Sequence, residues 1–158
     1  AQAASADTVA SGIENLEVTL ENTAHSYMTT VYRCYQAEGQ LNLGQYDQAN
    51  ALIEQCLHLI DETAERWWEA ELHRINGEIR RAQRGDAQPC FEKALEVARR
   101  QAAKLLELRA ATSLAGLWRE QGKTAEAREL LTPIHDWYTE GFNTPDLIEA
   151  KALLVELN

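Results

Sequence analysis

Proline is nearly absent, with Pro89, Pro133 and Pro145 the only three in 158 residues, and the eight glycines stand mostly alone as punctuation. So few breakers leave long stretches free to be helical. Cysteine is scarce too: Cys34, Cys56 and Cys90 lie far apart, form no C-x-x-C pair and are odd in number. That excludes a disulfide framework and points to reduced thiols in a cytoplasmic setting. No apolar run approaches the ~20 residues needed to cross a bilayer. The N-terminus AQAASADT has neither the basic nor the apolar part of an export signal, so no membrane is expected among the partners. Basic residues are outnumbered, 15 against 25 acidic, for a net charge of -10. Nucleic acid is disfavoured as a partner, because affinity for it rests on Lys and Arg neutralising phosphates. The chain begins at Ala1 without Met and reads as a segment of something longer.

What is present is rich in Ala, Leu, Glu, Gln and Arg, residues that lose little rotamer freedom in a helix. Apolar residues recur at helical spacing, as in Val9, Ile13, Leu16 and Leu20, and no stretch alternates with period two. The expected fold is all-α, with about eight helices over 6–22, 26–43, 46–62, 65–83, 87–101, 104–121, 124–138 and 145–157. Gly44 and Gly122 fall just past helix ends, where a left-handed residue is easiest. Asp86 is placed to cap a helix whose first turn tolerates Pro89, and Thr144-Pro145-Asp146 is a strong start signal.

An internal repeat organises these helices. Ala49, Ile53 and Cys56 align with Ala87, Phe91 and Ala94 and with Ala127, Leu131 and Ile134, in copies 38 and 40 residues apart. Upstream of each triplet another helix carries a small residue: Ala37, Gly77 and Ala115. Small side chains let two helices approach, and the bulky one fills the groove toward the next pair. The pattern resembles the tetratricopeptide repeat, which implies antiparallel helical hairpins stacked in a right-handed solenoid. One repeat domain over 1–158 is expected, with repeats at about 26–62, 65–101 and 104–138 and flanking helices 6–22 and 145–157. The second hairpin departs from the pattern, its turn Arg84-Gly85-Asp86 being about two residues short.

Longer strings narrow the resemblance. Glu65-Arg66-Trp67-Trp68-Glu69-Ala70-Glu71-Leu72-His73-Arg74, then Cys90-Phe91, then Leu108-Arg109-Ala110-Ala111-Thr112-Ser113-Leu114-Ala115 with Trp118, and finally Gly141-Phe142-Asn143-Thr144-Pro145-Asp146-Leu147 follow one another in order. Over about residues 12–157 the chain is similar to the C-terminal tetratricopeptide-like region of large bacterial signalling proteins that carry class III nucleotide cyclase and P-loop ATPase domains. Asn143, where Asp is expected, is a departure confined to a loop. The resemblance implies a sensor, scaffold or oligomerisation role. No catalytic residue comes with it, since those of the family lie in the upstream domains.

Candidate chemistry within the segment gives way to simpler readings. Glu69 and His73 share a helix face at metal-ligand spacing, but no third ligand follows in register, and Arg66 and Arg74 are placed to pair with neighbouring carboxylates. Trp67 and Trp68 diverge by about 100° on a helix, so one is expected in the gap toward the preceding helix and the other at an interface edge. Gly116 to Thr124 misses a phosphate-binding loop by one residue of spacing and has no strand before it. His25, His58, His73 and His135 are scattered, and no Ser or Cys sits in a nucleophile-elbow context.

No enzyme and no cofactor are therefore expected. The first helices of the hairpins should line a concave groove presenting Glu38, Arg74, Glu78, Arg81, Arg109, Thr112 and Arg119, suited to a protein or peptide partner. Its arginines would favour an acidic partner, unless they pair within the array with Glu71, Glu78 and Glu120. The Lys and Asn pattern of chaperone-binding carboxylate-clamp repeats is not matched. The leading expectation is an interaction or scaffold module. The alternative is a freestanding binding protein that holds a peptide or apolar ligand against Trp67, Trp68 or Trp118, and a metal enzyme using Glu69 and His73 ranks third. Leu147, Ala150, Leu153 and Leu154 should let the last helix cap one end. The apolar stripe on 6–22 is expected to face outward, open to a homo-oligomer.

Overall fold

The computed structural model describes residues 6–22 and 28–158, with side chains placed for all of these except 17–22. Among them the chain forms eight α-helices and one 3-10 turn, and no strand. The helices are α1 (Ala6–Asn22), α2 (Thr29–Asn42), α3 (Tyr46–Thr63), α4 (Glu69–Ala82), α5 (Gln88–Arg100), α6 (Lys104–Glu120), α7 (Thr124–His135) and α8 (Pro145–Glu156), with the 3-10 turn at Arg66–Trp68. The expected start of the second helix at residue 26 and the side chain of Leu20 lie outside the described residues.

Two helix boundaries differ from expectation for local reasons. The expected single helix over 65–83 divides, because Ala64 ends α3 in a left-handed conformation (φ 58°) and the chain restarts as the tighter 3-10 turn. The two indoles are therefore not arranged as on an α-helix. Trp67 is exposed, while Trp68 packs inward against the apolar residues of α2 to α4 and of α4 to α6. α7 runs through Pro133 and stops at His135 rather than 138: Asp136 N–H still reaches back to the Thr132 carbonyl at 2.9 Å, but Tyr138 N–H turns instead to the His135 carbonyl at 3.1 Å. Nor does Asp86 cap α5. Ala87 holds that position, with Pro at the first turn where a missing N–H is no loss. Thr144 does take the N-cap position of α8, ahead of Pro145, but its hydroxyl makes no capping bond.

One device closes four of the helices. Gly44, Arg84, Ala102 and Gly122 all have positive φ, and in each case the next residue's N–H reaches back across the last turn. Gln45 donates to the Gln40 carbonyl at 2.9 Å, Gly85 to Arg80 at 2.8 Å, Ala103 to Ala98 at 2.9 Å and Lys123 to Trp118 at 2.8 Å. This is the Schellman closure. In the second hairpin the left-handed residue is Arg84, not Gly85, and the buried Ala87 follows it sooner than Ala49 follows Gly44. The short turn is thus made by shortening the segment after an unchanged closure.

All nine residues of the recurring triplets are buried, from Ala49 and Phe91 at 0% exposure to Ile134 at 7%. Helix neighbours follow from them: α2 packs on α3, α4 on α5 and α6 on α7, each second helix contacts the next first helix, and α2, α4, α6 and α8 touch in series. Close approach is sharpest where Gly77 of α4 faces Phe91 of α5, since a β-carbon there would lie 2.4 Å from the ring. Leu147, Ala150 and Leu153 of α8 are buried in the core shared with α5 to α7, and Leu154 packs against its edge. α1 corrects an expectation. Its described stripe does not face outward, because Ile13 is buried and, with Val9, sits over Gly39 of α2.

Candidate functional site

A groove of about 620 Å³ runs across the faces of α2, α4, α6 and the start of α8. Six of the seven residues expected on a concave face line it: Glu38 from α2, Arg74, Glu78 and Arg81 from α4, and Arg109 and Thr112 from α6. Arg119 lines an adjoining depression of about 200 Å³ that shares Glu78, Arg81 and Thr112 with the main groove. Helical spacing brings these side chains together, since positions 74, 78 and 81 occupy one face of α4 and 109, 112 and 116 one face of α6. No residue of α3, α5 or α7 contributes to the groove.

The floor is a charge ladder crossing four helices. Arg74 donates through Nε to both oxygens of Glu71, at 3.0 and 3.1 Å, and through Nη2 to Glu71 Oε1 at 2.7 Å and Glu38 Oε1 at 2.8 Å. Arg109 lies 3.0 Å from Glu71, 3.7 Å from Glu38 and 3.4 Å from Asp146 at the start of α8. Burial works against the charge of Arg74, but Glu71 and then Glu38 hold its guanidinium above its ordinary range. An ionised Arg in such a place is stable only while its carboxylates stay.

A second set of contacts repeats from one helix to the next. Arg81 of α4 donates through Nε to Glu120 of α6 at 3.2 Å, and Arg119 of α6 pairs in the same way with Glu156 of α8. Glu78 accepts from Arg81 at 3.4 Å and from the Ser113 hydroxyl at 2.6 Å, while the Thr112 hydroxyl donates back to the Leu108 carbonyl at 2.9 Å. Every arginine expected in the groove is therefore already paired with a carboxylate of the chain.

Depth varies along the ladder. The side chain of Glu71 is 3% exposed, Arg74 10% and Arg109 20%, whereas Asp146 and Glu38 are 30% and 33% exposed. The contacts to Glu38 and Asp146 run through Oε1 and Oδ1, so the second oxygen of each takes no part in these ion pairs. Glu149, one turn further along α8, is exposed and makes no ion pair among the described residues. Glu38, Asp146 and Glu149 thus stand nearer the surface than Arg74 and Arg109, while Arg81 at 26% exposure lies level with Glu78 at 22%.

Other candidate chemistry sits elsewhere. Glu69 is engaged by Arg66 at 3.2 Å and Arg100 at 3.4 Å, with His73 4.0 Å away. Burial lowers the His73 pKa despite the nearby Glu69. Among the described residues no group of three or more His, Cys, Asp and Glu converges as a metal site would require. The thiols are unpaired: burial raises Cys34 well above the ordinary value, with Cys56 and Glu71 adding to it, and pushes Cys56 up to about 11. Cys90 is raised by the same cause, so little reactive thiolate forms near neutrality. Gly122, in the string that nearly matches a phosphate loop, is the left-handed closure of α6, and Lys123 is the N-cap of α7. Trp67, Trp68 and Trp118 do not line the groove, and the last is half-buried against the core of α5 to α8.

Sequence reading missed Asp146, Glu149 and Ser113 as lining residues, and it named Glu71 as a partner for the groove arginines within the array without its depth. A signal for Glu71 was present, because Glu71 and Arg109 stand one repeat apart, and equivalent positions on successive first helices face each other. No comparable signal marked α8, whose partner helix in a fourth hairpin is not part of the chain's repeat pattern.

Together these features define an all-α protein with a polar groove built from alternate helices. Neither family models nor curated proteins nor solved structures provide a match to the chain. Among the described residues no helix is long and apolar enough to cross a membrane.

Proposed function

We propose that the chain is a tetratricopeptide-like solenoid module, cytoplasmic and non-catalytic, that holds a protein partner for a bacterial signalling protein with cyclase and P-loop ATPase domains. The signalling context rests on the ordered strings from Glu65 to Leu147. The stacked-hairpin reading draws on three observations: α2, α4, α6 and α8 touch in series, the Arg81–Glu120 contact recurs as Arg119–Glu156, and all nine triplet positions are buried. Each repeat then touches only its neighbours, which displays one continuous face of first helices.

The groove is the observation that carries the interaction role. It is concave and polar, and it is framed by helices whose positions are fixed by buried ion pairs rather than by loops. Rigid elements reduce the ordering cost of binding. The reading in which an apolar ligand rests on a tryptophan draws no support from the groove, since none of the three tryptophans named for it lines it.

The test is selection of peptides from a displayed random library, followed by binding to a variant in which Ser113→Arg fills the groove. Selected peptides that bind the native chain and lose affinity for the filled variant support the module. Selection that enriches nothing, or peptides indifferent to the filling, would defeat it.

A further inference from the structure

The groove has a definite charge character that its arginines conceal. Four carboxylates line it, Glu38, Glu78, Asp146 and Glu149, against three arginines, Arg74, Arg81 and Arg109. Each of those arginines is held by carboxylates within the chain, and Glu71 adds a further buried negative charge beneath Arg74 and Arg109. An acidic ligand at Arg74 or Arg109 would have to pull a guanidinium away from Glu71 or Glu38 and leave a buried carboxylate without its partner, an exchange that returns nothing, and one at Arg81 would have to compete with both Glu78 and Glu120. A cation entering from the mouth meets the opposite situation. It can engage the second oxygens of Glu38 and Asp146 and both oxygens of Glu149, which makes no ion pair among the described residues, while the ladder keeps its own contacts through Oε1 and Oδ1.

We propose that the groove binds an extended, lysine- or arginine-bearing segment of a partner protein, with Glu38, Asp146 and Glu149 as the carboxylates that receive its side chains. This rests on the interaction-module reading and gives it a partner chemistry. The dimensions select a peptide over a small diamine. Three steps between adjacent first helices, at about 8–10 Å each, make a face of roughly 27 Å, which an extended chain covers with about eight residues. The adjoining depression continues the same character, since Glu149 and Glu156 line it with Arg81 and Arg119, both engaged by the chain's own carboxylates. The net charge of -10 over the whole chain adds a long-range field that speeds the approach of a basic segment.

The probe is a fluorescent octapeptide alternating Lys and Ser, titrated at low ionic strength against the native chain and two charge reversals. Glu149→Lys changes the mouth of the groove. Glu126→Lys makes the same change in net charge on α7, which contributes nothing to the groove. Both positions are exposed, and equal urea midpoints would confirm that both variants fold. The expected result is binding weakened by added salt, lost about tenfold in Glu149→Lys and altered less than about twofold in Glu126→Lys. Equal losses in the two variants would show only a diffuse field and overturn the assignment, and so would an absence of binding or displacement of the peptide by spermine at matched charge concentration. A Glu-Ser octapeptide that binds more tightly, with its affinity removed by Ser113→Arg, would overturn the basic partner while leaving the interaction module standing.

Discussion

Replacing Gly77 by alanine should destabilise the chain even though it removes a glycine from the middle of a helix. Glycine in a helix interior costs about 1 kcal/mol relative to alanine, so on propensity alone the substitution stabilises. Packing opposes it. The new β-carbon would stand 2.4 Å from Phe91 Cε1 and 2.5 Å from Cδ1. Ordinary carbon contacts begin near 3.4 Å, so the ring or the helix must retreat by about 1 Å in a core held at crystal-like density. Phe91 is fully buried among Ala87, Ala94 and residues of α6 to α8 and has no open side to move into. Overpacking of this kind costs about 1–3 kcal/mol or more, and the upper end applies because the clash is with a fully buried aromatic ring. The net effect is a loss of about 1–2 kcal/mol after the propensity gain, or a fall of roughly 2–8 °C in melting temperature for a chain of this size. Gly116→Ala is the matched control. It is also mid-helix, but its β-carbon would meet only the Arg81 guanidinium at 3.7 Å, so it should gain most of the ~1 kcal/mol. Urea unfolding of the two variants, with Gly77→Ala/Phe91→Leu to relieve the clash, reads the difference directly. If Gly77→Ala stabilises as Gly116→Ala does, or if Phe91→Leu fails to recover any of the loss, the close approach of α4 and α5 is not what glycine provides at position 77.

Glu71→Gln should cost about 3 kcal/mol, because it leaves Arg74 and Arg109 buried around a neutral amide, whereas Glu96→Gln, which loses only exposed pairs with Lys93 and Arg100, should cost less than about 1 kcal/mol. Urea midpoints of the two variants test the contrast, and similar values would mean that the ladder contributes no more than a surface pair. Acid should weaken the fold partly through Glu107: burial works against its charge, but hydrogen bonds from Lys104 and Arg99 hold its pKa below the ordinary 4.5. With the folded value lower than the unfolded one, its contribution is complete above 4.5 and disappears as pH falls through the depressed value. The stability difference between native and Glu107→Gln, followed by urea unfolding from about pH 6 to pH 3, should therefore be constant and then shrink, and a difference that grows on acidification would reverse the sign of the argument.

The helical content and the helix-facing positions were readable because they depend on spacing alone. The triplets that begin at Ala49, Ala87 and Ala127 specify which face of each second helix is buried, and no long-range information is needed to find them. The left-handed closures at Gly44 and Gly122 were readable for the same reason. Arg84 and Ala102 were not, since a non-glycine residue adopts that conformation only when the surrounding turn compels it. The 3-10 turn at 66–68 was read as part of the helix over 65–83 because the sequence pattern does not separate the end of such a turn from the start of an α-helix. In the groove, the residues were legible but their electrostatics were not. Whether Arg74 offers its charge outward or to Glu71 depends on depth, and a linear pattern carries no depth. Asp146 joins the ladder only because α8 lies beside α6, a contact that follows the third hairpin rather than repeating within it.

The ladder does more than hold charges. A buried ion pair is weak evidence of stability, because apolar side chains of similar volume often serve as well or better. Its value lies in register. An apolar interface between first helices tolerates sliding by a turn, since one small residue can substitute for another against a neighbouring groove. Glu71 bonded to Arg74 on its own helix and to Arg109 on the next resists such a slide, for a displacement of one turn, about 5.4 Å, would take Arg109 away from Glu71 and leave that buried carboxylate with Arg74 alone. Glu38 and Asp146 extend the same constraint to α2 and α8. The helices that frame the groove are thereby fixed relative to one another by contacts that lie under its floor. Glu38 and Asp146 can then meet a partner without the partner having to order them first, because Arg74 and Arg109 set their spacing before binding.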